Sequence, residues 1–269
     1  MKLAIYESSK NKTGDIDLPK QFNEGVRPDL IKRAVLALQS NKRQPYGAAP
    51  GAGKRHSVKI SKRRKKYRGC YGFGISRTPR KILSRRGTRM FWVGAFAPNT
   101  IGGRRAHPPK AEKIITKKIN IKERRKAIRS AISATIVNHA VKERGHIIPE
   151  AYPFILGGKF EDLSKTKDII NTLNEFGLKE ELSRASKKTV RAGKGKSRGR
   201  KYKTRKGPLI VVSKECKTTK AAINIPGIDI ATVKELNAEL LAPGAVPGRL
   251  TLWTKSAIEA LEKEKLFLK

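Results

Sequence analysis

The chain has 269 residues, enough for one sizeable domain or two small ones, and it sets 62 Lys and Arg against 22 Asp and Glu for a net charge of +40. An excess of that size implies a polyanionic partner and excludes an ordinary soluble domain that merely keeps itself dispersed. Cys70 and Cys216 stand far apart, which excludes a disulfide framework and the paired-cysteine spacing of structural zinc; the polar turn of Met1 to Glu7 predicts neither a signal peptide nor a membrane span and leaves the cytosol as the default compartment.

In chain order, Leu3-Ala4-Ile5-Tyr6 predicts a strand with a hairpin-like partner around Ile16 and Leu18. Pro28 enters a helix that carries Leu30, Ile31, Ala34, Val35 and Leu38 on one face. The pattern then stops. From Leu30 to Ala111 there is no Asp or Glu, and residues 41–110 hold Lys42, Arg43, Lys54, Arg55, Lys59, Lys62, Arg63, Arg64, Lys65, Lys66, Arg68, Arg77, Arg80, Lys81, Arg85, Arg86, Arg89, Arg104, Arg105 and Lys110. Apolar residues in this insertion keep no sustained period of 2 or 3.6, which argues against a core of its own. It is nevertheless rich in aromatics, with Tyr46, Tyr67, Tyr71, Phe73, Phe91, Trp92 and Phe96, whereas solvating disordered tails are aromatic-poor. Cations for phosphates, aromatic and guanidinium faces for unpaired bases, and glycines for close backbone approach are what an RNA partner requires. Doubled back on itself, such an arm reaches at most about 100 Å.

After the insertion, Asn120 and Glu123 read as a capping box opening one long helix with the stripe Ile128, Ile132, Ile136 and Ala140, ended by Gly145. A strand at Ile147-Ile148 or Pro153 to Leu156 precedes a helix with Ile169, Leu173 and Phe176, stopped by Gly177. Residues 182–206 form a second acid-free basic segment, with Arg184, Lys187, Lys188, Arg191, Lys194, Lys196, Arg198, Arg200, Lys201, Lys203, Arg205 and Lys206. Pro208 to Val212 predicts a buried strand, Thr232 and Glu235 cap a short helix, Leu250 to Trp253 is a strand, and Ser256 with Glu259 opens a last helix. Strands interleaved with helices give an α/β class: a single body with a mostly parallel sheet flanked by helices, made of residues 1–40 and 111–269, plus a long extended basic arm at 41–110.

Catalytic and cofactor chemistry finds little support. Gly47-Ala48-Ala49-Pro50-Gly51-Ala52-Gly53-Lys54-Arg55 has five residues between its outer glycines instead of the four of a nucleotide-binding loop, and Arg55 replaces the hydroxyl residue; Gly195-Lys196-Ser197 lacks the partner glycine. His56, His107, His139 and His146 share no ligand spacing. His139 reads as a packed helix-face residue, and His107 as a loop residue that could stack on RNA. Asp15 with Asp17 reads as a pair flanking a turn, and Glu161 with Asp162 as a helix start, not as magnesium sites. No cofactor, metal or catalytic residue is expected.

Several strings carry a family resemblance: Arg104-Arg105-Ala106-His107-Pro108-Pro109-Lys110 leading to Lys122-Glu123-Arg124, Phe160-Glu161-Asp162-Leu163, Gly199-Arg200-Lys201-Tyr202, and Leu241-Ala242-Pro243-Gly244-Ala245-Val246-Pro247-Gly248-Arg249-Leu250-Thr251. Spaced in order along nearly the whole chain, they resemble archaeal-type members of the ribosomal protein four family of the large ribosomal subunit, and the absence of a long basic tail after Lys269 agrees with an archaeal type. The resemblance implies a structural, non-enzymatic subunit protein of the cytoplasmic ribosome that binds ribosomal RNA early in assembly. Its arm is then expected to contact several RNA domains and line the nascent-peptide exit tunnel, with Tyr67 to Arg89 as the tip. The bacterial pattern at the tip is absent. Expected partners are large-subunit RNA, neighbouring ribosomal proteins and the nascent polypeptide; a membrane and a second copy of the chain are not. The expected RNA-binding residues are the basic side chains of the arm from Lys42 to Arg105 with Tyr67, Tyr71, Phe73, Trp92 and His107, and Lys194, Lys196, Arg198, Arg200, Lys201, Lys203 and Arg205 of the second segment. Rival readings are a DNA-compacting architectural protein, which shares the charge but gains little from an aromatic arm, and an RNA-processing enzyme, which needs an acid, base or metal cluster.

Overall fold

The computed structural model describes residues 1–67 and 69–268. Arg68, one of the expected RNA-binding residues, lies outside the described residues. Two compact units are present, one of residues 1–42 with 116–269, the other of residues 43–115.

The first unit begins with the hairpin β1 (Lys2–Tyr6) and β2 (Lys12–Asp17), followed by α1 (Pro28–Asn41). The second unit contributes the hairpin β3 (Arg80–Arg86) and β4 (Arg89–Gly94). Back in the first unit come α2 (Ile121–Thr135), α3 (Asn138–Glu143), β5 (Ile155–Leu156), α4 (Thr166–Glu175) and α5 (Lys179–Ser186). The chain continues through β6 (Lys188–Val190), β7 (Tyr202–Thr204), β8 (Leu209–Val212), α6 (Lys217–Ala222), β9 (Asp229–Thr232), α7 (Ala238–Leu241), β10 (Thr251–Thr254) and α8 (Lys255–Lys263).

Six strands form one sheet in the order β2-β1-β5-β10-β8-β9, in which β1 and β2 pair antiparallel and the other neighbours are parallel. The expected α/β class is borne out. Because side chains alternate across a strand, Leu209 and Val211 of β8 join Ile155 and Trp253 in a core with α1, α2, α7 and α8, while Ile210 and Val212 join Leu156 and Leu252 in a second core with α4 and α6. The run Leu209-Ile210-Val211-Val212 is apolar throughout because both of its faces are covered. Each fully buried aliphatic side chain of this kind contributes about 1.5–3 kcal/mol.

Several local expectations are corrected. The long helix after the insertion is two helices, broken at Ile136 and Val137. The Thr135 carbonyl, which would accept from the next helical turn, instead accepts the buried Tyr152 hydroxyl, and the β-branched run Thr135-Ile136-Val137 resists helix. The break rephases the second of the two helices: the His139 side chain is 89% exposed rather than packed. Asn120 does not form a capping box, since the Glu123 carboxylate accepts from Arg33 of α1 at 3.2 Å. The last helix is capped not by Ser256 but by Thr254, whose hydroxyl accepts from the Ala257 amide at 3.2 Å, because α8 starts where β10 ends. Asp15 and Asp17 lie within β2, paired with Ala4 and Lys2, and Glu161 and Asp162 close the 3-10 turn Gly158–Asp162 instead of starting a helix.

Gly145 and Gly177 do end their helices, with φ of +89° and +81°. The box of Thr232 and Glu235 forms as expected, on the 3-10 turn Val233–Glu235. Cys70 and Cys216 are free thiols; the first accepts from Arg80, and the second caps α6 together with Thr219.

Candidate nucleic-acid interface

Within the unit of residues 43–115, the two ends of the insertion run side by side. The Ala48 amide donates to the Pro109 carbonyl at 2.9 Å. A Cβ on Gly47 would meet the Ala111 amide nitrogen at 2.5 Å, and one on Gly53 the Arg104 Cα at 2.7 Å. These glycines serve close backbone approach, so Gly47 to Arg55 is not a phosphate loop between strand and helix. Further along, Ser61 bridges Gly69 and the Gly69 amide donates to the Lys66 carbonyl, closing a loop whose Lys62, Arg63, Arg64, Lys65 and Lys66 are all exposed.

The hairpin β3–β4 is not legible from periodicity, because every second residue of its sequence is not apolar; Arg, Lys and Ser alternate irregularly across a bulge between Ile82 and Ser84. Met90, Trp92 and Gly94 are half-buried, while Arg89, Phe91 and Val93 are exposed. Cys70, Ala95 and Ala97 are the buried apolar side chains of this unit among the described residues. So little burial means that its surface is mostly polar contact and open cation.

What organises the cations is aromatic. Arginine guanidinium groups lie over rings at Arg43 on Tyr46 (5.9 Å), Arg77 on Tyr71 (4.6 Å), Arg80 on Trp92 (5.6 Å), Arg85 on Tyr67 (5.9 Å), Arg89 on Phe91 (5.5 Å) and Arg104 on Phe96 (6.0 Å). Arg80 is the most enclosed, donating also to the carbonyl and hydroxyl of Ser76 at 2.6 and 3.1 Å. Arg85 donates to the Tyr67 hydroxyl at 2.6 Å. Phe73 is 69% exposed, and Lys54, Arg55, Lys59, Arg105 and His107 are exposed as well. No residue of 43–115 forms a salt bridge among the described residues. Lys42 differs from the rest: it belongs to the first unit and pairs with Glu239 at 2.5 Å.

The second basic segment forms the hairpin β6–β7 in the first unit, with Lys188 opposite Thr204, Thr189 opposite Lys203 and Val190 opposite Tyr202. Its turn contains Gly193 and Gly199 at φ near +79° and +78°. Lys188, Lys194, Lys196, Arg198, Arg200, Lys201, Lys203 and Arg205 are exposed; Lys201 lies 5.5 Å over Tyr202.

Not every cation of the segment is available. Arg184 is bound to the fully buried Glu181 and donates to the Lys206 carbonyl at 2.9 Å, and Lys206 pairs with Asp229 at 3.0 Å. Arg249, fully buried, donates to the Gly207 and Leu240 carbonyls at 3.0 and 2.9 Å and to Asp229 at 2.6 Å. Burial pushes the Arg249 guanidinium below its usual pKa, with Asp229 opposing the shift. Burial pushes Asp229 up, but Arg249 and Lys206 outweigh it and hold the carboxylate below its usual range. Glu181 is likewise driven up by burial and brought below its usual value by hydrogen bonds from Arg184, His146 and the Ile147 amide. His146, whose Nδ1 lies 2.7 Å from Glu181, is lowered by burial. The sequence alone places Arg184 and Lys206 in the basic segment, outside the expected RNA-binding residues, and gives Arg249 no role of its own; an acid within a few residues, as Glu181 is for Arg184, is the available signal.

Among the described residues no group of His, Cys, Asp and Glu is placed to hold a metal ion, and no helix is long and apolar enough to cross a membrane. Glu161 accepts from the Ser213 amide and hydroxyl and from Thr254, a latch between the ends of β8 and β10.

Comparison with known proteins agrees with the string resemblance. A family model described as the ribosomal protein L4/L1 family matches residues 16–264. The chain is 53% identical over 268 residues to the large ribosomal subunit protein uL4 of Nanoarchaeum equitans, covering 99% of this chain and 100% of that one. It is 48% identical over 259 residues to the protein of the same name from Methanococcoides burtonii, covering 96% of each, and 44% identical over 262 residues to that of Archaeoglobus fulgidus, covering 97% and 98%. The resemblance to archaeal-type members holds along nearly the full length, and the chain belongs to the ribosomal protein L4/L1 family.

Proposed function

We propose that this chain is a structural, non-catalytic constituent of the large ribosomal subunit in the cytoplasm, and that both basic segments bind ribosomal RNA. The observation that carries the reading is the unit of residues 43–115, where arginines stacked on aromatic rings lie in a stretch without a single salt bridge among the described residues. Cations left uncompensated by acids repel one another unless phosphates are present. Exposed rings such as Phe73 and Phe91 offer stacking surfaces to unpaired bases.

In this reading the protein binds early in assembly, when RNA helices carrying like charge must converge. Residues 43–115 then pass among several RNA domains, contact neighbouring ribosomal proteins, and contribute to the wall of the peptide exit tunnel, with the region of Tyr67 to Arg89 beside the nascent chain. The relatives named as large-subunit proteins support the ribosomal setting. The test is sedimentation of a cell extract through a sucrose gradient at high salt. Retention on the large subunit is the expected result, and complete release to the top of the gradient would overturn a threaded arrangement.

A further inference from the structure

Resting on the RNA reading above, we propose that the two basic regions take different RNA substrates: the β6–β7 hairpin is a site for the sugar-phosphate backbone of double-helical RNA, whereas residues 43–115 take unpaired bases. Recognition of a single strand needs rings on which bases stack, and recognition of an A-form helix needs donors for phosphates and 2′-hydroxyls. Residues 187–206 offer a single ring, Tyr202, beside exposed Lys188, Lys194, Lys196, Arg198 and Lys203, none of which forms a salt bridge among the described residues.

The hairpin is also built to hold its shape. Arg191 donates from its amide to the Lys201 carbonyl and from its guanidinium to the Arg200 carbonyl, tying the strands together above β6 and β7. At the root, the Arg184 and Arg249 guanidinium groups fix the Lys206 and Gly207 carbonyls, and the Gly207 amide donates to Gly227 at 2.9 Å. A fixed ribbon presents its cations at set spacings, which suits the regular phosphates of a helix better than a flexible single strand. The 43–115 unit has the opposite endowment, with exposed Tyr46, Tyr67, Phe73 and Phe91.

The test uses the full chain and two variants. One carries Lys188→Gln, Lys194→Gln, Lys196→Gln, Arg198→Gln and Lys203→Gln; the other carries Tyr46→Ala, Phe73→Ala and Phe91→Ala. Probes are a blunt RNA duplex of about 16 base pairs and an unstructured RNA strand of about 16 nucleotides, titrated at several salt concentrations. The hairpin variant is expected to lose at least about ten-fold in duplex affinity, with a log-log salt slope shallower by about three, and to keep its single-strand affinity within about two-fold. The aromatic variant is expected to show the reverse pattern. Equal losses on both probes, or unchanged duplex affinity in the hairpin variant, would overturn the division. Failure of the unsubstituted chain to bind either RNA would overturn the RNA reading beneath it.

Discussion

In the 1–42 and 116–269 unit, the cations that matter to the fold are turned inward and matched: Arg249 to Asp229, Arg184 to Glu181, Arg129 to Glu24. In residues 43–115 the same residue types form no salt bridge among the described residues and lie on rings instead. An arginine's role is therefore set by what the neighbouring chain supplies. Where a carboxylate and burial are available, arginine becomes part of the core; where they are withheld over a long stretch, it stays available for a partner's phosphates.

The contrast is most severely tested at Arg249. Arg249→Leu removes three hydrogen bonds and leaves Asp229 partly buried with only Lys206, so the body is expected to lose about 3–5 kcal/mol in urea unfolding. A loss below about 1 kcal/mol would place the buried arginine outside the body's stability.

Next in size is Gly207→Ala. A Cβ there would sit 2.8 Å from the Gly227 carbonyl oxygen and 2.9 Å from the Ala185 Cβ, and backbone on one side has little room to yield. The expected cost is about 1–3 kcal/mol, read as a lowered unfolding midpoint with unchanged slope.

Phe91→Ala probes the other region. Phe91 is 52% exposed, so stability should change by less than about 0.5 kcal/mol, while affinity for a single-stranded RNA should fall by about 1–3 kcal/mol through loss of one stacking face. Calorimetry of the free chain and an RNA titration separate the two effects.

The gentlest effect is on pH. Folded His146 holds its proton less readily than its usual 6.5, so stability is full above that value and declines as the unfolded chain protonates below it. Glu181, lowered from 4.5 in the fold, contributes stability that is present above 4.5 and lost as pH falls through its folded value. Both act in the same direction. Unfolding midpoints should be flat between about pH 7 and 9 and begin to drop below about pH 6.5, and Glu181→Gln should make the part of that decline below 4.5 shallower.

Much of the body is legible in the sequence because its signals are local. Pro28 and the apolar stripe after it mark α1, and the continuous run at Leu209 to Val212 marks a doubly covered strand. The break after Thr135 is not legible, since it depends on a hydroxyl from Tyr152, seventeen residues on. His139 is misplaced by periodicity for the same reason. Within the basic regions, charge and aromatic content mark where an RNA site would lie, but which arginine stacks on which ring is a pairing across the chain. Arg85 meets Tyr67, eighteen residues away, while Arg89 meets Phe91 at two.

The decisive measurement is hydrogen exchange of the full chain, free and bound to large-subunit RNA. Amides of β8 and β10 should be protected in both states, while those of β3 and β4 exchange quickly in the free chain and slow at least about ten-fold on RNA binding. Protection of β3 and β4 equal to that of β8 without RNA, or unchanged when RNA is added, would contradict the division between a body whose buried arginines meet its own acids and a region whose arginines are left to its partner.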